Sequence, residues 1–233
     1  MSPSVIAIDG HAGAGKSTLA DLIAEHLDFW HVNTGLYYRA ITWLAVEQKI
    51  SPENHEALTA LAQDADMLVK EGETCQELWV NGKDITEAVR IPAINRRISQ
   101  VASVSGVRDA ITHRLQQLDH PRGIIMDGRD IGTVVFPNAD LKLFLTASVP
   151  ERARRQFADN ARKGIHLSLE ELEEMIASRD RQDSEREVAP LRQASDAILL
   201  DSTEQSVEAL AEQVIQLWQK RHSQKALDTT ITL

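Results

Sequence analysis

The sequence predicts an α/β fold in which a parallel sheet is flanked by helices and carries a small antiparallel β insertion and a helical lid. Three observations predict it. The run Val5-Ile6-Ala7-Ile8 stops at Asp9-Gly10, passes through a glycine-rich stretch to Gly15, and gives way to helical spacing of Leu19, Leu22, Ile23 and Leu27. Later apolar runs at 123–126, 141–145 and 197–200 each end in polar or small residues, as buried strands of an open sheet do where ligands gather. Between the first and second runs, Asn81-Gly82 separates Glu77–Val80 from Lys83–Ile85, and that dipeptide supplies the positive φ angles of a tight hairpin.

Taken in order, the first run is a buried strand, residues 10–15 are the loop after it, and a helix starts at Lys16. Met67–Val69, Glu77–Val80 and Lys83–Ile85 form the antiparallel unit, an insertion on the α/β body. Residues 151–188 mix dense charge of both signs with few large apolar side chains, which predicts exposed helices able to move as a lid. After the last strand, Val207, Leu210, Val214, Leu217 and Trp218 keep one helical stripe that reads as packing, and the tail beyond about Arg221 is expected to fray. The whole chain, 1–233, is expected to be one domain. Its core spans about 1–33, 101–150 and 189–233, its insertion about 34–100 and its lid about 151–188.

Composition limits the function classes. The chain has 233 residues, 42% of them hydrophobic, enough for a sizeable core. A lone Cys75 can form neither an internal disulfide nor a paired-cysteine zinc site, so a reducing, cytoplasmic setting is expected. The N-terminus lacks a basic, then apolar leader, and no long apolar run occurs, so no membrane association is expected. A net charge of −10 argues against a general nucleic-acid binder, which needs a basic face to displace counterions. Yet 14 of the 25 Lys and Arg residues fall between 101 and 195, which leaves room for a locally cationic cleft. No histidine pair has the spacing of a zinc helix, and no stretch suggests a protein partner, so a monomer is expected.

Gly10-His11-Ala12-Gly13-Ala14-Gly15-Lys16-Ser17, followed by Thr18, satisfies the pattern Gly-x4-Gly-Lys-Ser/Thr. Its residue types follow from the chemistry. Glycines let backbone N–H groups converge on phosphate oxygens, the helix start adds its positive dipole end, Lys16 reaches the β- and γ-phosphates, and Ser17 offers a hydroxyl to Mg²⁺. A nucleoside triphosphate is therefore the expected ligand of residues 10–18, with Mg²⁺ as cofactor, and the pattern by itself suits a kinase, an ATP-driven motor or a GTP switch. Asp127, at the end of an apolar strand, is the candidate second ligand for that metal. In Asp127-Gly128-Arg129-Asp130, an arginine able to hold a phosphate through two hydrogen bonds stands beside two carboxylates. Thr34 and Arg39 form a third cluster, in which Thr34 can simply cap a helix while Arg39 points one turn later toward a second phosphate. A GTP switch is excluded by the absence of an Asn-Lys-x-Asp segment, and the small size suits a kinase of a small molecule.

The combination of Ile8-Asp9-Gly10 with Gly13-Ala14-Gly15-Lys16, of Thr34-Gly35 with Tyr38-Arg39, of Asp127 through Pro137, and of Arg179-Asp180 with Asp183, Arg186 and Ala189-Pro190-Leu191 resembles the bacterial cytidylate kinases. The likeness spans about residues 4–218, and the Asp127–Pro137 block is its specific part. It implies a parallel-sheet P-loop kinase core with a monophosphate-binding insertion and a lid, and transfer of a phosphoryl group from ATP to CMP or dCMP. By position it implies that Thr34, Arg39, Ser99, Arg108, Arg129 and Asp130 surround the CMP base and phosphate. It places Arg179, Asp183 and Arg186 at the sugar and the closing site, and Arg152 and Arg155 at the ATP phosphates, with Lys16, Arg129 and Arg179 also expected to act in catalysis. His11, Asn33 and Leu36 depart from the family pattern of Pro, Asp and a small residue. Uridylate, thymidylate, guanylate and shikimate kinases share the P-loop but not the block and insertion together. A nucleotide-dependent switch would have no use for the second set of arginines.

Overall fold

A computed structural model describes residues 4–72, 75–162 and 164–231, with side chains described as far as Arg221. Its main sheet has five parallel strands in the order β2-β6-β1-β7-β8. These are β1 (Val5–Gly10), β2 (Trp30–Asn33), β6 (Ile124–Gly128), β7 (Leu141–Thr146) and β8 (Ile198–Asp201). Every residue of β1 and of β6 is buried, which explains why both read as continuous apolar runs rather than as alternating ones. β2 is the strand that the sequence reading passes over. It has four residues, only Val32 among them joins the apolar core outright, and Trp30 is half-buried.

Alternation along the strands feeds two cores. On one face, Ile6, Ile8, Ile125 and Leu143 pack with Leu19 and Ile23 of α1 (Lys16–Leu27) and with Leu210, Val214 and Trp218 of α8 (Val207–Ile231). The expected stripe on the last helix is thus core packing. The helix backbone runs on to Ile231, past the end expected near Arg221, and the side chains of that tail lie outside the described residues. On the other face, Ala7, Val32 and Met126 meet Tyr37 and Ile41 of α2 (Gly35–Glu47), Leu58 of α3 (His55–Asp64), and Ile111 and Leu115 of α5 (Ser105–Gln116). α4 (Pro92–Val101) packs against α2 through Ile98 and Val101.

The insertion is an antiparallel sheet of β3 (Met67–Lys70), β4 (Glu77–Val80) and β5 (Lys83–Asp84). Asn81 and Gly82, at φ 49° and 75°, make the turn that the Asn-Gly pair predicts. Met67, Val69, Leu78 and Val80 share the face turned to the core. Residues 151–188 fold as two helices, α6 (Val149–Arg162) and α7 (Leu169–Glu185), joined by a small apolar contact of Ala153, Leu172 and Ile176. Ser168 and Glu171 close a capping box that fixes where α7 begins. Among the described residues, no helix is long and apolar enough to cross a membrane.

Candidate active site

β1 delivers the P-loop against its neighbour β7 with no room to spare. A Cβ on Gly10, at φ 144°, would stand 1.9 Å from the Leu145 carbonyl oxygen. Lys16 is buried, and its Nζ donates to the carbonyl oxygens of Gly10 at 2.9 Å and His11 at 2.8 Å. Burial lowers its pKa well below the ordinary lysine value, the nearby Arg129 adds to this, and Asp127 pulls in the opposite direction. His11 stacks edge-on against Phe144 with ring centroids 5.8 Å apart, so it faces away from the cavity described below.

Next to the loop lies an oxygen-rich corner. Ser17 Oγ donates to Asp127 Oδ2 at 3.1 Å, and Asn33 Nδ2 donates to Ser17 Oγ at 3.0 Å. Thr34 stands at the start of α2, but its hydroxyl is not a cap. It donates to the Asp127 carbonyl oxygen at 2.8 Å and so ties β2 to β6. Behind the corner, Asp9 accepts from the backbone N–H groups of Ile131 and Gly132, both at 2.7 Å, and thereby shapes the π-helical turn Ile131–Val135 that follows Asp130. Burial raises the Asp9 pKa to about 6 against the lowering effect of those two N–H groups. A hydroxyl and a carboxylate are the donors a hard divalent cation takes when it arrives with nucleotide phosphates, so Ser17 and Asp127 fit Mg²⁺. No cluster of three or more His, Cys, Asp or Glu residues able to hold a metal by itself exists among the described residues.

A cavity of about 330 Å³ joins the loop and this corner to a wall of arginines. Gly13, Gly15, Lys16, Ser17 and Thr18 line one side. Thr34, Arg39, Ser99, Arg108, Asp127, Arg129, Asp130, Arg179, Asp183 and Arg186 are among the residues that line the other sides. Arg129 Nε donates to Asp183 Oδ2 at 2.8 Å, and with Arg179 it holds the Asp183 carboxyl below its usual range in spite of burial. Arg108 Nη2 lies 2.6 Å from Asp130 Oδ2, and its guanidinium lies 5.2 Å from the centre of the Tyr38 ring. Arg39 Nη1 donates to the Val89 carbonyl oxygen at 2.9 Å. Burial and the neighbouring Arg129 lower Arg179 to about 10, and its buried Nε has no hydrogen-bond partner among the described residues.

Three of the expected ATP-site residues, Gly10, His11 and Ala14, do not line the cavity, whereas Ala12 does. Arg152 and Arg155 also stand off the wall. Arg152 pairs bidentately with Asp180 at 3.0 and 2.6 Å and donates to the Ala12 carbonyl oxygen at 3.1 Å. Arg155 bonds to Glu151, to Ser202 Oγ at 3.1 Å and to the Ser202 carbonyl oxygen at 2.5 Å. The two arginines of α6 are thus engaged with the P-loop backbone and with the segment after β8. Sequence reasoning missed Asp180 and Ser202 as their partners, and it missed His31, Asp21 and Gln76 around Asp127. Asp180 lies inside the quoted Arg179–Leu191 pattern, whereas the others carry no local signal.

A P-loop at the carboxyl end of a parallel sheet, facing an arginine-lined cavity across an Asp–Ser corner, defines a phosphate-transferring protein of the P-loop kinase class. A sequence model of the cytidylate kinase family matches residues 6–220. The cytidylate kinase of Bacillus licheniformis is 45% identical over 93% of this chain and 96% of its own length. That of Bacillus cereus is 44% identical over 91% of this chain and 94% of its own. The chain belongs to the cytidylate kinase family. Among solved structures, an uncharacterized protein from Eubacterium ventriosum shares the fold, at a TM-score of 0.50 and 11% identity over 92% of this chain and 97% of that one.

Proposed function

We propose that the protein transfers the γ-phosphoryl group of ATP to CMP or dCMP, giving ADP and CDP or dCDP. The observation that carries this reading is the single cavity bounded by the P-loop on one side and by Arg39, Arg108, Arg129, Arg179 and Arg186 on the other. An ATPase or a switch needs one anion subsite, whereas this wall suits a second phosphate facing the first. The bacterial relatives at 44–45% identity carry the name cytidylate kinase, which supports the choice of CMP.

In this reading an oxygen of the CMP phosphate attacks the γ-phosphorus in line. The bond to the bridging oxygen breaks, and ADP leaves with that oxygen. No covalent nucleophile is required, so the chain contributes position and charge. Lys16 exchanges its contacts with Gly10 and His11 for phosphate oxygens. Arg129 and Arg179 neutralise the transferring group, and Arg152 and Arg155 do the same from α6 when the lid closes. Thr34, Arg39, Ser99, Arg108, Asp130, Asp183 and Arg186 hold the acceptor. Ser17 and Asp127 would hold Mg²⁺, which when bound with ATP supplies further neutralisation of the phosphate oxygens. Lid closure excludes water, which would otherwise compete as acceptor. The same reading divides the chain into core, insertion and lid, and makes it a cytoplasmic monomer without membrane or nucleic-acid partners.

The test is ADP production from ATP with CMP, dCMP, UMP, AMP, GMP and TMP in parallel. CMP and dCMP are expected to be the best acceptors. A different best acceptor overturns the assignment, and rapid ADP release with no acceptor present indicates an ATPase.

A further inference from the structure

One buried histidine at the Ser17–Asp127 corner has no part in the scheme above. His31 lies in the middle of β2, 6% exposed, between two carboxylates from different elements. Its Nε2 is 2.8 Å from Asp127 Oδ1 at the end of β6, and its Nδ1 is 2.6 Å from Asp21 Oδ1 on α1. Gln76, from the segment before β4, brings its Nε2 to 2.8 Å from the same Nδ1 and accepts the Asn33 backbone N–H with its Oε1 at 3.0 Å. A carboxylate oxygen, which can only accept, lies at each ring nitrogen, so the ring sits there as the imidazolium, with Nδ1–H donating to Asp21 and Nε2–H to Asp127.

The two oxygens of Asp127 are therefore held from opposite sides, Oδ1 by His31 and Oδ2 by the Ser17 hydroxyl. A carboxylate turns easily about its terminal torsion, and one hydrogen bond does not fix its plane. Two bonds do, and groups in this outer position set the orientation and basicity of a metal ligand. A histidine present only to fill a core needs a single acceptor, whereas this ring spans from a carboxylate on α1 to the carboxylate at the site.

We propose that His31 is a positioning residue for phosphoryl transfer: anchored by Asp21, it fixes the plane of the Asp127 carboxylate that, with Ser17, would receive the nucleotide-borne divalent cation. This rests on the assignment of Ser17 and Asp127 under the proposed function.

The experiment is calorimetric titration of ATP into the protein, once with excess Mg²⁺ and once with EDTA. The quantity read is the ratio of the two affinities. His31→Leu is expected to lower that ratio about tenfold while affinity for metal-free ATP stays within about twofold. His31→Gln places an amide donor near the Nε2 position and is expected to restore the ratio to within about threefold of the parent. His31→Asn, which reaches only toward Asp21, is not expected to restore it. An unchanged ratio in His31→Leu overturns the inference, and so does an equal loss of affinity with and without Mg²⁺. If His31→Leu does not fold, the comparison of Gln with Asn decides, and Gln no better than Asn overturns it. A parent protein whose ATP affinity ignores Mg²⁺ sinks the Ser17–Asp127 assignment itself. A metal-sensitive parent with unaffected variants sinks only the role of His31.

Discussion

Arg129 and Asp183, 54 positions apart, are joined by a hydrogen bond of 2.8 Å from Nε to Oδ2. This bond links the loop after β6 to α7, and together with the bond from Arg152 to the Ala12 carbonyl oxygen it joins the helical pair to the core beside the cavity. Only the Nε edge of Arg129 is taken by a carboxylate, and Nη1 makes a longer bond, 3.2 Å, to its neighbour's carbonyl oxygen at Gly128.

Arg129→Ala is accordingly expected to lower kcat/KM for CMP by about a hundredfold, or about 3 kcal/mol of transition-state stabilisation. Both terms should move, because the same side chain orders Asp183 and faces the transferring group. The check is a coupled ADP assay across CMP concentrations, and a change in KM alone would remove Arg129 from the chemical step.

Lys16→Ala should separate catalysis from folding. Losing the cation nearest the transferring phosphate is expected to cost about a hundredfold or more in kcat. Stability should change little, because the burial that lowers the Lys16 pKa opposes the gain from its two bonds to carbonyl oxygens. Thermal unfolding and the ADP assay, run on one preparation, test both halves.

Asp9 gives stability a pH dependence of predictable sign. Its folded pKa of about 6 lies above the unfolded value of 3.8, so the folded state holds this proton more tightly. Its contribution is fully present below about pH 4 and is lost as pH rises through about 6, a change of about 3 kcal/mol. Asp9→Asn has no proton to lose there. Urea unfolding at intervals from pH 4 to 7 should show the parent's stability falling relative to the variant's by about that amount. Parallel pH profiles for the two proteins would contradict the assignment.

Gly10→Ala places a methyl group 1.9 Å from the Leu145 carbonyl oxygen at a φ of 144°. Neither β1 nor β7 can retreat without breaking the ladder between them, so a loss of about 3 kcal/mol or more is expected. A lowered thermal midpoint with a weakened ATP interaction is the expected outcome. A midpoint equal to the parent's would mean that the two strands separate more freely than their packing implies.

β1 and β6 were legible because double burial demands an unbroken apolar run, as in Ile124-Ile125-Met126, whereas β3 and β4, buried on one face, were legible through the Asn81-Gly82 turn. β2 escaped notice because half of its side chains serve the site rather than the core. His31 bridges two carboxylates and Asn33 bonds to Ser17, and polar duty of this kind erases the apolar signature. The P-loop and the Asp127–Asp130 segment were legible since their chemistry is local and fixed in spacing. Partnerships across long separations, such as Arg155 with Ser202 or Gln76 with the Asn33 backbone, depend on how elements pack and leave no trace within either segment. Thr34 shows the limit within a single residue. Its type and place fit a helix cap, yet the nearest strong acceptor in three dimensions is the Asp127 carbonyl oxygen, and the hydroxyl goes there.

The central place of β1 also dictates how the chain must come into being. Val5 pairs with Ile124 on one side, and Gly10 pairs with Leu145 on the other. β1 is made before either of its neighbours, and its pairing cannot be completed until Leu145 has followed it. At roughly 5–20 residues per second, its apolar residues wait on the order of ten seconds for partners. Closure of such distant pairs is slow, and the waiting segment is the part of the nascent protein most in need of protection from aggregation.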